Sequence, residues 1–144
     1  TRDHDLSQYV ETGISIDAKI TSQLLINIFE KNTPLHDGAV VIEGDRIVAA
    51  TCYLPLSDSV VISKDLGTRH RAGLGITEVT DSIVIIVSEE NGSVSIAKDG
   101  KLIRYADASV LKSELIKAQD KIEVKPKKRF LKGRDRNEES DDKN

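Results

Sequence analysis

The sequence contains no methionine and no tryptophan, and only five residues are tyrosine or phenylalanine. A hydrophobic core in this chain must therefore be built from Ile, Val, Leu and Ala. The single cysteine, Cys52, excludes an internal disulfide, and its apolar neighbours favour a small buried side chain over a catalytic thiol. With only three histidines besides, a closed structural zinc site is not expected.

Long apolar runs are also missing. No run approaches the roughly 18–20 residues that a membrane-spanning helix needs, and the N-terminus shows no signal peptide. The start at Thr1 and the lack of methionine lead us to expect a soluble piece excised from a longer protein. Its 144 residues, 38% apolar and 31% charged, suit one domain with one hydrophobic core.

The two charge signs are unevenly distributed. Residues 1–120 hold 12 basic and 18 acidic side chains, whereas residues 121–144 hold 9 basic and 6 acidic ones. We predict a flexible segment over 1–13, a folded domain over 14–120 and a charged, disordered tail over 121–144. A basic tail can touch nucleic acid or anionic lipid, but a solvated extension is favoured. No aromatic-studded basic surface is present, so we expect no nucleic-acid partner.

Hydrophobic spacing predicts an α/β fold, in which one mixed central sheet is flanked by helices. A short strand at 14–16 precedes a helix that Asp17 would cap. Pro34 stops that helix, and two turn signals then predict two hairpins. The predicted elements are helix 17–31, strands 38–42 and 47–54, helix 68–79, strands 83–87, 94–96 and 102–105, and a last helix from Val110 to Ala118.

The segment from Asn32 to Ala39 joins the first predicted helix to a buried strand, where functional loops are common. Asp37 could hold a metal ion or accept a hydroxyl proton, and Gly38 and Ala39 would let a bulky ligand approach the backbone. His36 could add a nitrogen ligand suited to Mn²⁺. Local chemistry by itself favours a plain turn, because Asp-Gly is a turn dipeptide.

The segment Gly67-Thr68-Arg69-His70-Arg71 places three basic side chains at the start of a predicted helix, with Thr68 as the N-cap. Cations there oppose the helix macrodipole, which prefers anions near the N-terminus. A bound polyphosphate would remove the conflict by meeting free amides and guanidinium groups together. A solvated or salt-bridged basic turn is the alternative, and the segment does not decide between the two.

Two further segments are weaker candidates. The turn that contains Ser88, Glu89 and Glu90 follows a strong strand, and its carboxylates could bind Mg²⁺ or Mn²⁺. Tyr53 and Leu54 could frame a flat base, although spacing favours a core position for them. No Walker-type or dinucleotide-binding glycine loop is present, so a nucleotide would bind in another way.

Taken together, Leu35-His36-Asp37-Gly38-Ala39 and Gly67-Thr68-Arg69-His70-Arg71-Ala72 resemble the two signature motifs of the bacterial diadenylate cyclase (DAC) domain. The resemblance covers roughly residues 10–120, and Gly73 departs from it where the family often has alanine. Four flanking segments are similar to the membrane-anchored CdaA-type class: Asp17–Ile20, Asn32–Pro34, Ile62–Leu66 and Gly75–Asp81.

The resemblance implies a DisA-N-like α/β fold and a diadenylate cyclase that joins two ATP into cyclic di-AMP and releases two pyrophosphates. It implies a divalent metal (Mn²⁺, Mg²⁺ or Co²⁺) and a cytoplasmic domain of a membrane-anchored parent, which a regulatory protein could control. The implied catalytic residues are Asp37, Gly38, Ala39, Arg69, His70 and Arg71. ATP would contact these residues except His70, together with Tyr53, Leu54, Gly67, Thr68, Ser88 and Glu89, and the metal would bind Glu90, His36 and Asp37.

One domain offers one such set of residues, whereas the product contains two equivalent bonds. The resemblance therefore implies two subunits that face each other across a two-fold axis. Two other functions stay open at this point. The domain could be a nucleotide sensor without turnover, or an enzyme that hydrolyses ATP.

Overall fold

The structure is a computed structural model, and it describes residues 5–59 and 64–123. The described residues form two three-stranded antiparallel sheets with helices packed against them. In chain order, the elements are α1 (Ser7–Val10), β1 (Ile14–Lys19), α2 (Ser22–Ile28), β2 (Ala39–Glu43), β3 (Arg46–Cys52), α3 (Thr68–Val79), β4 (Ile83–Val87), β5 (Val94–Lys98), β6 (Lys101–Ile103) and α4 (Ala108–Glu123).

The first sheet has the order β1-β3-β2, so the apolar strand β3 lies in its centre. Ile47 and Ala50 of β3 are fully buried, and Ile28 of α2 packs with them in one cluster. Both pairings in this sheet are irregular, because the register shifts between Ser15 and Ala18 of β1 and twice along β2. Such bulges bend a strand and re-aim its side chains.

The second sheet has the order β4-β5-β6 and a regular register, in which Ile96 of the central strand pairs with Ile85 and Ile103. Helix α3 covers one face of this sheet. Leu74 of the helix packs with Ile86 and Ala97 of the strands in a second buried cluster. The sheet therefore fixes the helix that carries the basic segment.

The α/β class and most elements are confirmed, but the strands form two antiparallel sheets rather than one mixed sheet. The helix predicted over 17–31 is shorter at both ends, because α2 spans Ser22–Ile28. Asp17 belongs to β1, where it takes φ 46° at the bulge and accepts a hydrogen bond from Arg46. The helix starts later, because the Thr21 hydroxyl accepts from the Leu24 amide and caps it.

Both ends of the domain also differ from expectation. The segment that we predicted to be flexible carries α1, and its Leu6 and Val10 pack against the buried cluster of Val41 and Cys52. Helix α4 continues through Glu123, beyond the predicted start of the tail at residue 121. The rest of that tail lies outside the described residues, and the domain limits stay a prediction.

Strand β4 is an edge strand in the described part of the chain, although its sequence Ile83-Val84-Ile85-Ile86-Val87 is wholly apolar. Ile85 and Val87 are exposed as a result. Among residues 5–59 and 64–123, no helix is both long and apolar enough to cross a membrane.

Candidate functional site

A cavity of about 170 Å³ lies where the start of α3, the β4–β5 turn and the segment after β6 meet. Seven of the residues that the sequence singled out line it: Gly67, Thr68, Arg69, His70, Ser88, Glu89 and Glu90. Three further charged or aromatic side chains also line it, namely Asp65, Arg104 and Tyr105. The basic segment and the acidic turn, which were weak candidates separately, therefore belong to one site.

Helix α3 begins at the cavity without a side-chain cap. Gly67 is the N-cap, in an extended conformation, and Thr68 is the first helical residue rather than the cap that we predicted. The Gly67 carbonyl accepts from the Arg71 amide and closes the first turn. Since no side chain caps the first turn, its amide groups remain available to an anionic ligand.

Arg69 forms an ion pair with Glu89, with 2.6 Å between Nη2 and Oε1. The acidic turn is held in place by its own backbone, because the Ser88 amide donates to the Ser93 carbonyl and the Gly92 amide donates to the Ser88 carbonyl. For Arg69, the structure therefore shows the salt-bridged alternative. Both side chains remain at least one-third exposed, so a ligand can reach them.

His70 is 7% exposed, and its Nε2 lies 3.4 Å from the Ser95 hydroxyl oxygen. Burial lowers the pKa of His70 from its ordinary 6.5, the Arg104 charge lowers it further, and Asp65 acts in the opposite direction. His70 is therefore neutral at pH 7. Burial therefore disfavours the charged form of this ring, and a phosphate-binding role for His70 stays a prediction.

The charges around the cavity leave an excess of negative charge. Three carboxylates line it, those of Asp65, Glu89 and Glu90, against the guanidinium groups of Arg69 and Arg104. A polyphosphate would meet a site whose formal charge is −1, so an additional cation is needed to offset the repulsion.

The other predicted residues do not line the cavity, and all of them except Arg71 of α3 lie at or just before the start of β2 or just after the end of β3. Gly38 has φ +115°, and a Cβ there would lie 2.7 Å from Cα of Thr51. Thr51 itself has φ 56°, which is rare for a β-branched residue and marks local strain. Packing therefore requires glycine after Asp37, whatever chemistry the aspartate performs.

His36 precedes this glycine turn. Its Nδ1 lies 2.7 Å from the Thr33 carbonyl oxygen, which can only accept, so Nδ1 carries the proton. This hydrogen bond leaves Nε2 with a free lone pair, as in histidines that bind metals. The donor chemistry of His36 therefore fits a divalent cation.

Tyr53 is 76% exposed, so the core position that its spacing favoured is wrong. The backbone amide of Tyr53 donates to the Thr12 hydroxyl, and this hydrogen bond holds the chain in place just after the end of β3. A few residues later, the Ser57 amide donates to the Arg71 carbonyl of α3. Along the chain, Tyr53 and Leu54 therefore lie between Thr51, which contacts Gly38, and Ser57, which is bonded to α3.

The predicted metal set of Glu90, His36 and Asp37 is not assembled within one chain. No group of three His, Cys, Asp or Glu side chains converges within residues 5–59 and 64–123. Glu90 belongs to the β4–β5 turn of the second sheet, whereas the other two precede β2 in the first sheet. Arg71 likewise does not line the cavity.

Sequence reasoning missed Asp65, Arg104 and Tyr105. Asp65 stands just before the basic segment, and a charged residue in a polar loop gave no signal of its own. Arg104 and Tyr105 follow an ordinary short strand, 35 and 36 positions after Arg69 in the sequence. Only the pairing of β5 with β6 brings them to the cavity.

Comparisons with known proteins show which family this chain resembles. Residues 1–102 match the DAC family model, described as "DisA bacterial checkpoint controller nucleotide-binding". The chain is 59% identical over 120 residues to the cyclic di-AMP synthase CdaA of Bacillus subtilis, covering 83% of this chain and 44% of the relative. It is 60% identical over 116 residues to a diadenylate cyclase of Listeria monocytogenes, covering 81% and 42%.

Solved structures of similar proteins also match this chain. A crystal structure of a double mutant of DacA from Staphylococcus aureus matches with a TM-score of 0.78 and 50% identity, over 81% of this chain and 78% of that one. A hypothetical membrane spanning protein from Bacillus cereus matches with a TM-score of 0.69 and 40% identity, over 74% and 52%. The chain spans less than half the length of the two sequence relatives. On the family model and these identities, the chain belongs to the DAC family.

Proposed function

We propose that this chain is a diadenylate cyclase that condenses two ATP molecules into cyclic di-AMP and releases two pyrophosphates. The observation that carries the proposal is the cavity at the start of α3, where uncapped amides, Arg69 and the acidic turn converge. Membership of the DAC family supports it, since two relatives at about 60% identity are named for this synthesis.

The size of the cavity suggests which part of ATP it would hold. Small-molecule sites usually enclose roughly 300–1,000 Å³, so about 170 Å³ suits the triphosphate rather than the whole nucleotide. The exposed ring of Tyr53, with Leu54, would then cover the adenine outside the cavity. Gly38 and Ala39 would lie against the ribose, where the absence of a side chain allows close approach.

In each of the two steps, a 3′-hydroxyl oxygen of one ATP attacks the α-phosphorus of the other. The new P–O bond replaces the bond to pyrophosphate, and the hydroxyl proton passes to a base. Asp37 is our candidate for that base or for the group that orients the hydroxyl. Arg69 and the first-turn amides of α3, which include Thr68, would hold the phosphates and offset the charge that develops on the leaving group. Arg71 does not line the cavity of its own chain, and it stays our candidate for a further phosphate contact. Neutral His70 would position this turn through Ser95.

A divalent cation fits the donors that are present. Glu90 supplies carboxylate oxygen at the cavity, and His36 offers Nε2 because its Nδ1 is committed to Thr33. These three residues do not converge within the described part of one chain, so we propose that Glu90 of one copy, with His36 and Asp37 of a second copy, would hold Mn²⁺, Mg²⁺ or Co²⁺ together with the phosphates of ATP. When bound, the ion would neutralise phosphate charge, which the excess of carboxylates at the cavity calls for.

We propose that catalysis takes place between two copies of the chain. One chain offers one cavity, yet the product closes two equivalent bonds, so two sites must face each other across a two-fold axis. This model predicts that product formed per chain falls as the chain is diluted, whereas the fraction that binds ATP at a fixed ATP concentration does not. A constant rate per chain at every dilution would contradict it.

The setting of the domain is also a proposal. We propose that the parent protein is anchored in the cell membrane with this domain in the cytoplasm, and that a regulatory protein acts on it. The greater length of the CdaA relative and the name of the Bacillus cereus neighbour support the membrane anchor.

The test is to incubate the chain with ATP and Mn²⁺ and to identify the product by mass. We expect cyclic di-AMP, and we expect Asp37→Asn to abolish it with ATP binding largely retained. Asp45→Asn, in the exposed β2–β3 turn, is the matched control and should behave like the unchanged chain. Formation of ADP or AMP would identify a hydrolase, and binding without any product would identify a sensor. Full activity in Asp37→Asn would remove that residue from the mechanism.

A further inference from the structure

The chain leaves β6 through a bulge that carries two of the residues missed from the sequence. Ile103 pairs with Ile96, so a regular strand would place Tyr105 opposite Val94. Instead, the Ala106 amide donates to the Val94 carbonyl at 2.9 Å, which inserts one extra residue. Tyr105 takes φ 56° within this bulge, a conformation that bulky residues rarely adopt. Bulges of this kind re-aim side chains and are frequent beside active sites.

Arg104 precedes Tyr105 and lines the cavity, as the acidic turn does. Its Nη2 lies 3.2 Å from Oδ2 of Asp65 and 3.3 Å from the hydroxyl oxygen of Tyr105. The guanidinium carbon also lies 5.1 Å from the centre of the Tyr105 ring. Both hydrogen bonds to described residues use Nη2, which leaves Nε and Nη1 to meet a ligand.

Arg104 and Arg69 have similar exposure and similar ion pairs at the cavity. Each is about one-third exposed, and each is paired with one carboxylate, Asp65 for Arg104 and Glu89 for Arg69. Two guanidinium groups, one from α3 and one from the segment after β6, match the spread of negative charge along a polyphosphate better than one does. The effect of Arg104 on the pKa of His70 places its charge close to the first turn of α3.

We propose that Arg104 is a second phosphate-binding arginine of this site, which contacts the terminal phosphates of the nucleotide together with Arg69. This inference rests on the proposed function, since it assigns a further residue to the same ATP. Asp65 is then a positioning residue, because it orients Arg104 through the ion pair and does not touch the nucleotide. Tyr105 stacks against the guanidinium and restricts it to the cavity wall.

The competing explanation is structural: the Arg104–Asp65 pair could merely fasten the bulge to the loop before α3. The two explanations differ for Arg104→Gln and Asp65→Asn. A purely structural pair predicts the same effect for both changes, since each breaks the ion pair. A phosphate-binding arginine predicts that Arg104→Gln weakens ATP binding strongly, whereas Asp65→Asn, which keeps the cation, does so little.

The experiment measures dissociation constants for ATP and for adenosine, each with Mn²⁺, by calorimetry on the full chain. A charged hydrogen bond lost from a phosphate should weaken ATP binding about tenfold or more in Arg104→Gln. Adenosine binding should be unchanged, because it lacks phosphates, and Arg104→Lys should recover part of the loss. The matched control is Arg46→Gln, because Arg46 also pairs with an aspartate at a bulge but lies in the first sheet.

The outcomes separate the two proposals. If the unchanged chain binds neither ATP nor adenosine, the proposed function fails. If it binds ATP and Arg104→Gln binds as tightly as Arg46→Gln, Arg104 is not a phosphate ligand and the proposed function stands. Equal losses for ATP and adenosine, or equal losses in Arg104→Gln and Asp65→Asn, would show a structural role and overturn the inference. Thermal denaturation of each variant shows whether it is folded.

Discussion

Replacing Gly75 with alanine tests how tightly α3 is held against the chain that enters it. A Cβ on Gly75 would lie 2.0 Å from the Pro55 carbonyl oxygen and 2.8 Å from the Ser57 amide nitrogen. Ordinary contacts lie above 3 Å, so the helix and the loop would have to separate by about 1 Å. Both neighbouring atoms belong to the backbone, which cannot turn aside as a side chain can.

The expected loss of stability follows from three contributions. Overpacking costs typically about 1–3 kcal/mol. Separation would also break the hydrogen bond from the Ser57 amide to the Arg71 carbonyl, which contributes about 1 kcal/mol. Alanine returns about 1 kcal/mol through its higher helix propensity. The net destabilisation is about 2 kcal/mol, which lowers the melting temperature of a domain of this size by roughly 10 °C.

The same helix provides the control. A Cβ on Gly73 would meet the Cδ1 and Cγ1 atoms of Ile86 at 2.6 and 2.8 Å, and these atoms belong to a side chain rather than to the backbone. A side chain can shift more easily than a backbone segment, so Gly73→Ala should lower the melting temperature by less than Gly75→Ala does. Circular dichroism during heating measures both variants. Equal melting temperatures for Gly75→Ala, Gly73→Ala and the unchanged chain would refute the packing argument.

Three further changes test other parts of the molecule. Gly38→Ala should lower the free energy of unfolding by about 2 kcal/mol or more, because alanine would be strained at φ +115° and would meet Thr51; an unchanged denaturant midpoint would contradict this. The pKa of His70 is lower in the folded chain than its unfolded value near 6.5, so stability should fall as pH drops below about 6.5, until the pH is below the folded pKa. His70→Asn should lose this pH dependence, and parallel stability curves for the two chains would show that His70 is not its source. Burial raises the pKa of the Cys52 thiol, so a disulfide reagent should modify it only after unfolding; rapid labelling of the folded chain would exclude the buried position.

The two hairpins and helix α3 could be predicted from the sequence because residues close together in the chain determine them. The β2–β3 hairpin follows from a turn whose Gly44 has φ 59°, and the β5–β6 hairpin follows from Asp99 and Gly100 at φ 50° and 71°. Helix α3 has the predicted limits despite two internal glycines. The error at Asp17 has a tertiary cause, since pairing with β3 across a bulge overrides its preference for a helix N-cap.

The residues of the candidate site also fall into those that local sequence predicted and those that it did not. The basic segment and the acidic turn could be found because each is continuous in sequence and chemically unusual. Asp65 and Arg104 could not, because they become neighbours only when β6 pairs with β5 and the chain bulges after it. Tyr53 was placed in the core because periodicity does not record where a strand ends, and β3 ends at Cys52.

The apolar edge strand β4 has a practical consequence for each measurement above. Five consecutive β-branched residues, with no charge and no proline, present unpaired backbone groups along the outer edge of the described sheet. An exposed edge of this kind can recruit the same strand from another molecule and start aggregation. Light scattering at several protein concentrations would reveal such recruitment, and a lysine at exposed Ile85 or Val87 should suppress it. Dilution tests of the proposed dimer therefore need this charged variant beside the original chain, so that aggregation through β4 is not mistaken for productive pairing.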